Sequence, residues 1–193
     1  MLNEPLKKYS IILGSESPRR KHFLEEFKLD FRSVRIEVEE VYPKYLHGNE
    51  ITHYLAELKS DAYPEALADN ELLITADTIV RCNGQILGKP TDVEDAKRML
   101  RFMSGHIHEV ITSVCLRTNK KRTVFSDTTD VHFKELSAEE IDYYVENYQP
   151  LDKAGAYGIQ EWMGYIGVLK IEGSFYTVMG FPVHKFYKEM MEF

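Results

Sequence analysis

Residues 15–20 read Ser-Glu-Ser-Pro-Arg-Arg directly after Gly14, a composition suited to holding an anion. Gly14 frees the turn, Ser15 and Ser17 supply hydroxyls, and Pro18 opens a helix whose first N–H groups have no intrahelical acceptor. Arg19 and Arg20 add planar guanidiniums that meet phosphate oxygens in pairs. A plainer reading stands beside this one: Ser17 caps the helix and both arginines are solvated. Cations near a helix N-terminus are mildly unfavourable, so their presence there asks for a reason.

Four further groups carry chemistry. Asp77 ends the apolar run 72–76 and is followed by Thr78, which predicts a buried strand whose polar end emerges at a rim. A carboxylate there could hold a divalent cation, activate water, or accept backbone hydrogen bonds in a turn. Lys59, on a helix, and Lys89, in Gly-Lys-Pro, could each present a point charge to phosphate or sit in solvent. Glu37, Glu39 and Glu40 form an acidic cluster at the end of a second strand, and oxygen donors of this kind suit Mg2+ or a charged surface equally. Strand alternation puts Glu37 and Glu39 on one face and Glu40 on the other. The stretch 152–160, Asp-Lys-Ala-Gly-Ala-Tyr-Gly-Ile-Gln, ends in Gln160, whose amide can read a base edge or belong to an ordinary loop. His106 and His108 share a strand face, but no third His or Cys stands at ligand spacing.

These residues must be positioned by an alternation of strands and helices. Residues 9–13 and 31–38 predict strands, with a helix over 18–27 between them. Ile51, Tyr54, Leu55 and Leu58 line a helix limited by Pro64. Asn83-Gly84 predicts a hairpin, and Thr91 with Glu94 a capping box ahead of Ala96, Met99, Leu100 and Met103. Strands follow over 107–117 and 122–133, then a second capping box at Ser137 and Glu140, a strand over 165–171, and a last helix from Pro182. Within that last helix, Val183, Phe186, Tyr187 and Met190 are expected to face inward, and Trp162 to pack in the core or at an interface.

Composition narrows the classes. A chain of 193 residues suits one domain, and no repeat or linker divides it. The net charge of -7, from 24 Lys plus Arg against 31 Asp plus Glu, disfavours a nucleic-acid surface but permits a local cationic site for a small anion. Cys82 and Cys115 have no CxxC spacing, which fits a reducing compartment. The first residues lack the apolar core of a signal peptide, and nowhere do about 18 apolar residues run together, so a cytoplasmic protein without a membrane span is expected.

In this order the segments resemble the Maf family of nucleoside triphosphate pyrophosphatases. The resemblance covers nearly the whole chain and rests on 15–20, Val38-Glu39-Glu40, Ala56-Glu57-Leu58-Lys59, Ala76-Asp77-Thr78-Ile79-Val80, Gly88-Lys89-Pro90, Met99-Leu100 with Ser104-Gly105, 152–160, and Gly173-Ser174 with Gly180-Phe181-Pro182. It implies a single elongated, two-lobed α/β domain over residues 1–193, built around a curved mixed sheet and related to inosine triphosphatases, with Mg2+ or Mn2+ and commonly a homodimer. It implies cleavage between the α- and β-phosphorus of a nucleoside triphosphate, releasing monophosphate and pyrophosphate. The 152–160 loop looks like that of the subgroup acting on dTTP and UTP, whose work would be removal of non-standard or excess pyrimidine nucleotides. The alternative from the family's septum-formation label is a nucleotide-binding regulator of cell division without significant turnover.

By this resemblance Asp77 accepts the proton of the attacking water or ligates the metal, and Glu40 is the second metal-side carboxylate. Lys59, Lys89 and Arg20 stabilise phosphate charge. Ser15, Ser17, Arg19, Thr78 and Gln160 bind substrate, the last three selecting the base. Several positions depart from the family pattern: Gly14 stands where Ala is common, Glu16 puts a carboxylate inside the phosphate turn, Glu39 replaces Asp, and Ser60 replaces Ala. Thr177 stands where many members have Asn, and Glu161 follows Gln160 where Gly is frequent.

Overall fold

Two apolar runs set the strand pairing. In the computed structural model, which describes residues 8–193, Ser10–Leu13 (β1) lies parallel to Phe31–Ser33 (β2) and to Glu71–Cys82 (β3). Ile11, Ile12 and Leu13 pair with Leu72, Leu73 and Ile74, and all six are buried, as expected for parallel strands covered on both faces. β3 turns at Asn83-Gly84, where Asn83 takes φ 46° and Gly84 φ 77°, and pairs antiparallel with Gln85–Leu87 (β4). Positive φ at both central residues is the geometry that makes Asn-Gly a hairpin signal. With Ile107–Arg117 (β5), Arg122–Phe133 (β6) and Val168–Glu172 (β7), the result is a mixed α/β fold on a seven-stranded mixed sheet of order β2-β1-β3-β5-β6-β7, with β4 beside β3.

The helices among the described residues are Pro18–Glu26 (α1), Asn49–Asp61 (α2), Val93–Met103 (α3), Ala138–Tyr148 (α4), Trp162–Gly167 (α5), Phe175–Val178 (α6) and Val183–Glu192 (α7). The chain forms two compact units, and the division falls inside β3, β5 and β6. One unit comprises residues up to 77, 112–127 and 180–193. In its core Phe23 and Leu24 of α1 are buried, as are Phe181 and Phe186, with Phe23 stacked on Phe181 at 6.0 Å between ring centroids and Phe181 packed on Phe186. The other unit comprises 78–111 and 128–179. There Met99, Leu100 and Met103 of α3 meet Ile141, Tyr144 and Val145 of α4, and Val80, Val110, Val131 and Phe133 of the strands.

Five expectations are corrected. The strand over 31–38 stops at Ser33 because its partner β1 ends at Leu13, where the chain turns at Gly14. β3 does not end at Asp77 but runs to Cys82, since Thr78-Ile79-Val80 continues the β-branched run to the β4 pairing. The cap of α3 is Asp92, whose side chain accepts from the Asp95 N–H, in place of Thr91. Residues 165–167 belong to α5, and the strand begins at Val168. A Cβ on Gly164 would overlap the Ile159 carbonyl, so a close backbone approach fixes that helical turn. In α7 Phe186 and Met190 are buried, whereas Tyr187 is exposed and stacks on Phe27. The Ser137–Glu140 capping box is formed in both directions, and Trp162 packs on Tyr143 at 4.8 Å.

Candidate functional site

The turn between β1 and α1 is held from several sides. Gly14 N–H donates to the Ile74 carbonyl at 2.8 Å, and a Cβ there would lie 2.6 Å from Ile36 Cδ1 and 2.8 Å from Thr75 Cγ2. Glycine is therefore required by the approach of β3. Ser15 Oγ accepts from the Ser17 N–H at 3.2 Å and from Arg20 at 3.4 Å. Ser17 occupies the N-cap position of α1 without a side-chain cap hydrogen bond, and Pro18 takes the first turn. Glu16 faces outward to Arg35 at 3.6 Å, which explains the carboxylate inside the turn.

Arg20 is drawn inward. Its Nε donates to the Gly180 carbonyl at 3.0 Å and its Nη1 to the Ala76 carbonyl at 2.9 Å. Desolvation pushes its guanidinium down to about 10, with the neighbouring charges of Asp77 and Glu40 opposing that shift and Arg19 adding to it. Arg20 thus belongs to the charge cluster around Asp77 and also ties β3 to the segment before α7.

That cluster centres on Lys59. From α2 its Nζ reaches Asp77 Oδ1 at 2.5 Å and Glu40 Oε1 at 3.0 Å, a cation between two carboxylates. Asp77 is only 4% exposed, and its Oδ2 is buried without a hydrogen-bond partner among the described residues. A buried carboxylate oxygen left unpartnered is costly unless another charge or donor supplies its contact. The predicted acidic cluster separates: Glu37 pairs with Arg35 at 3.0 Å, and Glu40 alone joins Lys59 and Asp77. Among the described residues no three His, Cys, Asp or Glu side chains are grouped to hold a metal. Two hard oxygen donors still fit Mg2+ or Mn2+, which commonly take one or two carboxylates and complete their shell with water and substrate phosphate.

Thr78, Lys89 and Gln160 fall in the other unit. Thr78 follows Asp77 along β3 and is half-buried. Lys89 is exposed after β4, with no ion pair among the described residues. Gln160 Oε1 is buried without a hydrogen-bond partner among the described residues, and the Gln160 carbonyl accepts from Tyr165 Oη at 2.6 Å. Sequence reasoning missed the groups behind this loop. Lys153, 8% exposed, pairs with Asp152 at 2.7 Å and Glu161 at 3.1 Å, and Tyr144 Oη donates to Glu161 Oε2 at 2.5 Å. The signal available was Glu161 itself, a carboxylate directly after Gln160. His108 is buried with its Nε2 2.8 Å from Tyr157 Oη, and His106 Nδ1 lies 2.8 Å from the Ser104 carbonyl.

Fold and site define a mixed α/β protein in which an ammonium-bridged carboxylate pair adjoins an arginine-bearing turn. The sequence profile of the Maf-like proteins matches residues 10–193, and the chain belongs to that family. It is 54% identical to a dTTP/UTP pyrophosphatase of Flavobacterium johnsoniae, over 97% of each chain. A dTTP/UTP pyrophosphatase of Parabacteroides distasonis is 50% identical over 98% of this chain and 99% of its own. The solved Staphylococcus aureus Ham1 protein aligns with a TM-score of 0.47 and 17% identity, covering 64% of this chain and 71% of that one.

Proposed function

We propose that this chain is a nucleoside triphosphate pyrophosphatase that hydrolyses dTTP and UTP between the α- and β-phosphorus. The observation that carries the reading is the Lys59 ammonium between Glu40 and a buried Asp77 whose second oxygen has no hydrogen-bond partner among the described residues, with Arg20 in the same charge cluster. The pyrophosphatase relatives at 50–54% identity supply the reaction class and the substrates.

A triphosphate brings about four negative charges, and most of the catalytic work is their neutralisation as charge moves to the leaving group. Arg20, Lys59 and Lys89 do that work, and the Ser15–Ser17 turn orients phosphate oxygens. Asp77 takes the proton from the attacking water or holds the divalent cation, with Glu40 as the second carboxylate. The cation, when bound, supplies further neutralisation of phosphate charge. Gln160, Arg19 and Thr78 select the base, and the Gln160 Oε1, without a hydrogen-bond partner among the described residues, supports that role.

No helix among the described residues is long and apolar enough to cross a membrane. The two buried free cysteines support a cytoplasmic setting, and a homodimer is part of the same proposal. The test is a panel of nucleoside triphosphates incubated with Mg2+ or Mn2+ and resolved by chromatography. Monophosphate and pyrophosphate should form from dTTP and UTP, and Asp77→Asn should abolish their release. Diphosphate with orthophosphate would refute the bond assignment, and no turnover of any nucleotide would refute the hydrolase.

A further inference from the structure

Gln160 sits in a tight turn whose two ends are fastened to one hydroxyl. The Glu161 N–H donates to the Gly158 carbonyl at 3.0 Å, closing a four-residue turn with Ile159 and Gln160 at its centre. Tyr144 Oη accepts from the Gly158 N–H at 3.0 Å and donates to Glu161 Oε2 at 2.5 Å, so it grips both ends. Tyr144 is fully buried, and burial together with Glu161 holds its phenol far above the usual range, so it remains a donor. Lys153 Nζ takes the other Glu161 oxygen at 3.1 Å.

Glu161 gives up another use of its side chain to do this. It stands at the N-cap position of α5 yet makes no side-chain cap hydrogen bond, although capping is the ordinary role of a polar residue there. Gly158 leaves room for it: a Cβ would lie 2.7 Å from Glu161 Cδ. The carboxylate is thus a strut inside the turn.

Such rigidity matters because an amide can serve two opposite partners. Thymine and uracil present a ring N–H donor beside a carbonyl, whereas cytosine presents a ring acceptor beside an amino donor. An amide free to rotate by 180° suits both; one that presents its oxygen to the base suits only the first. Gln160 Oε1 is buried and has no donor among the described residues.

We propose that Glu161, with Tyr144 and Lys153, is a positioning set that fixes the turn carrying Gln160, so that its side chain meets the base from one place, and thereby favours thymine and uracil over cytosine. This rests on the nucleotide-hydrolase reading and deepens it. The experiment compares wild type with Tyr144→Phe and Glu161→Gln, after thermal melts show both variants folded. It measures kcat and KM for dTTP and dCTP, and calorimetric affinity for dTTP, dCTP and inorganic tripolyphosphate.

The preference for dTTP over dCTP should fall about tenfold in Tyr144→Phe, mostly through KM, with tripolyphosphate affinity unchanged. Glu161→Gln keeps an acceptor for Lys153 and should show a smaller loss in the same direction. Unchanged preference in both variants, or equal weakening of all three ligands, would overturn the proposal. Selective dTTP binding by a wild type without turnover would overturn the hydrolase alone, and equal binding of dTTP and dCTP by wild type would overturn the positioning role.

Discussion

Lys59 and Asp77, on α2 and β3, meet at 2.5 Å, and the ammonium is the hydrogen-bond partner of this nearly buried carboxylate. Glu40 approaches the same ammonium at 3.0 Å, so the cation holds together two groups that would otherwise repel. Lys59→Met should leave that pair with the more distant Arg20 charge alone and destabilise the fold by about 2–3 kcal/mol in urea denaturation. If Asp77 and Glu40 hold a divalent cation, added Mg2+ should raise the melting temperature of Lys59→Met more than that of wild type. Equal shifts in the two proteins would place the metal elsewhere.

Gly14 is set by packing. A Cβ would press on Thr75 Cγ2 and Ile36 Cδ1, while Thr75 Oγ1 is committed to the Ala56 carbonyl at 2.7 Å. Gly14→Ala should cost about 1–3 kcal/mol by overpacking. Thr75→Ser removes the methyl and keeps the hydroxyl, so the double variant should recover most of the loss in a denaturant titration. Additive losses would mean that the clash lies with Ile36 instead.

Local signals were legible and long-range ones were not. The Ser137–Glu140 box and the Asn83-Gly84 turn are decided within four residues, and both form as expected. At α3 two overlapping patterns compete, Thr91 with Glu94 and Asp92 with Asp95, and the second provides the cap. Residues 165–167 carry no side-chain mark of helix, because α5 is set by the backbone of Ile159 passing close to Gly164, a contact that apolar periodicity does not announce. The charged residues of the site were nameable singly. That Lys59 joins Glu40 to Asp77 while Glu37 turns to Arg35 depends on where α2 and the segment after β2 lie, and no spacing encodes it.

His108 predicts an acid-sensitive fold. Burial pushes its imidazole down to about 3, against about 6.5 in an unfolded chain. Between those values the unfolded state binds the extra proton, so stability is full above pH 6.5 and falls as pH drops toward 3. At pH 4 the loss from this group is about 3 kcal/mol. His108→Gln keeps a polar partner for Tyr157 Oη, which lies 2.8 Å from Nε2, and cannot be protonated. Its stability should decline less steeply than that of wild type between pH 7 and pH 4, and parallel curves would show that His108 is not the titrating group.

Lys89 separates a catalytic charge from a structural one. It is exposed and has no ion pair among the described residues, in contrast to Lys59, whose side chain is 13% exposed and bound to two carboxylates. Lys89→Ala should therefore change unfolding free energy by no more than about 0.5 kcal/mol. If its ammonium neutralises charge on the departing pyrophosphate, kcat on dTTP should fall by about 10²-fold or more, as when one preorganised donor to a transition state is removed. The fall should be larger in kcat than in 1/KM, because the charge it meets grows on the way to the transition state. A variant that loses stability as well as activity would make Lys89 part of the scaffold, and one that keeps full turnover would remove it from the catalytic set.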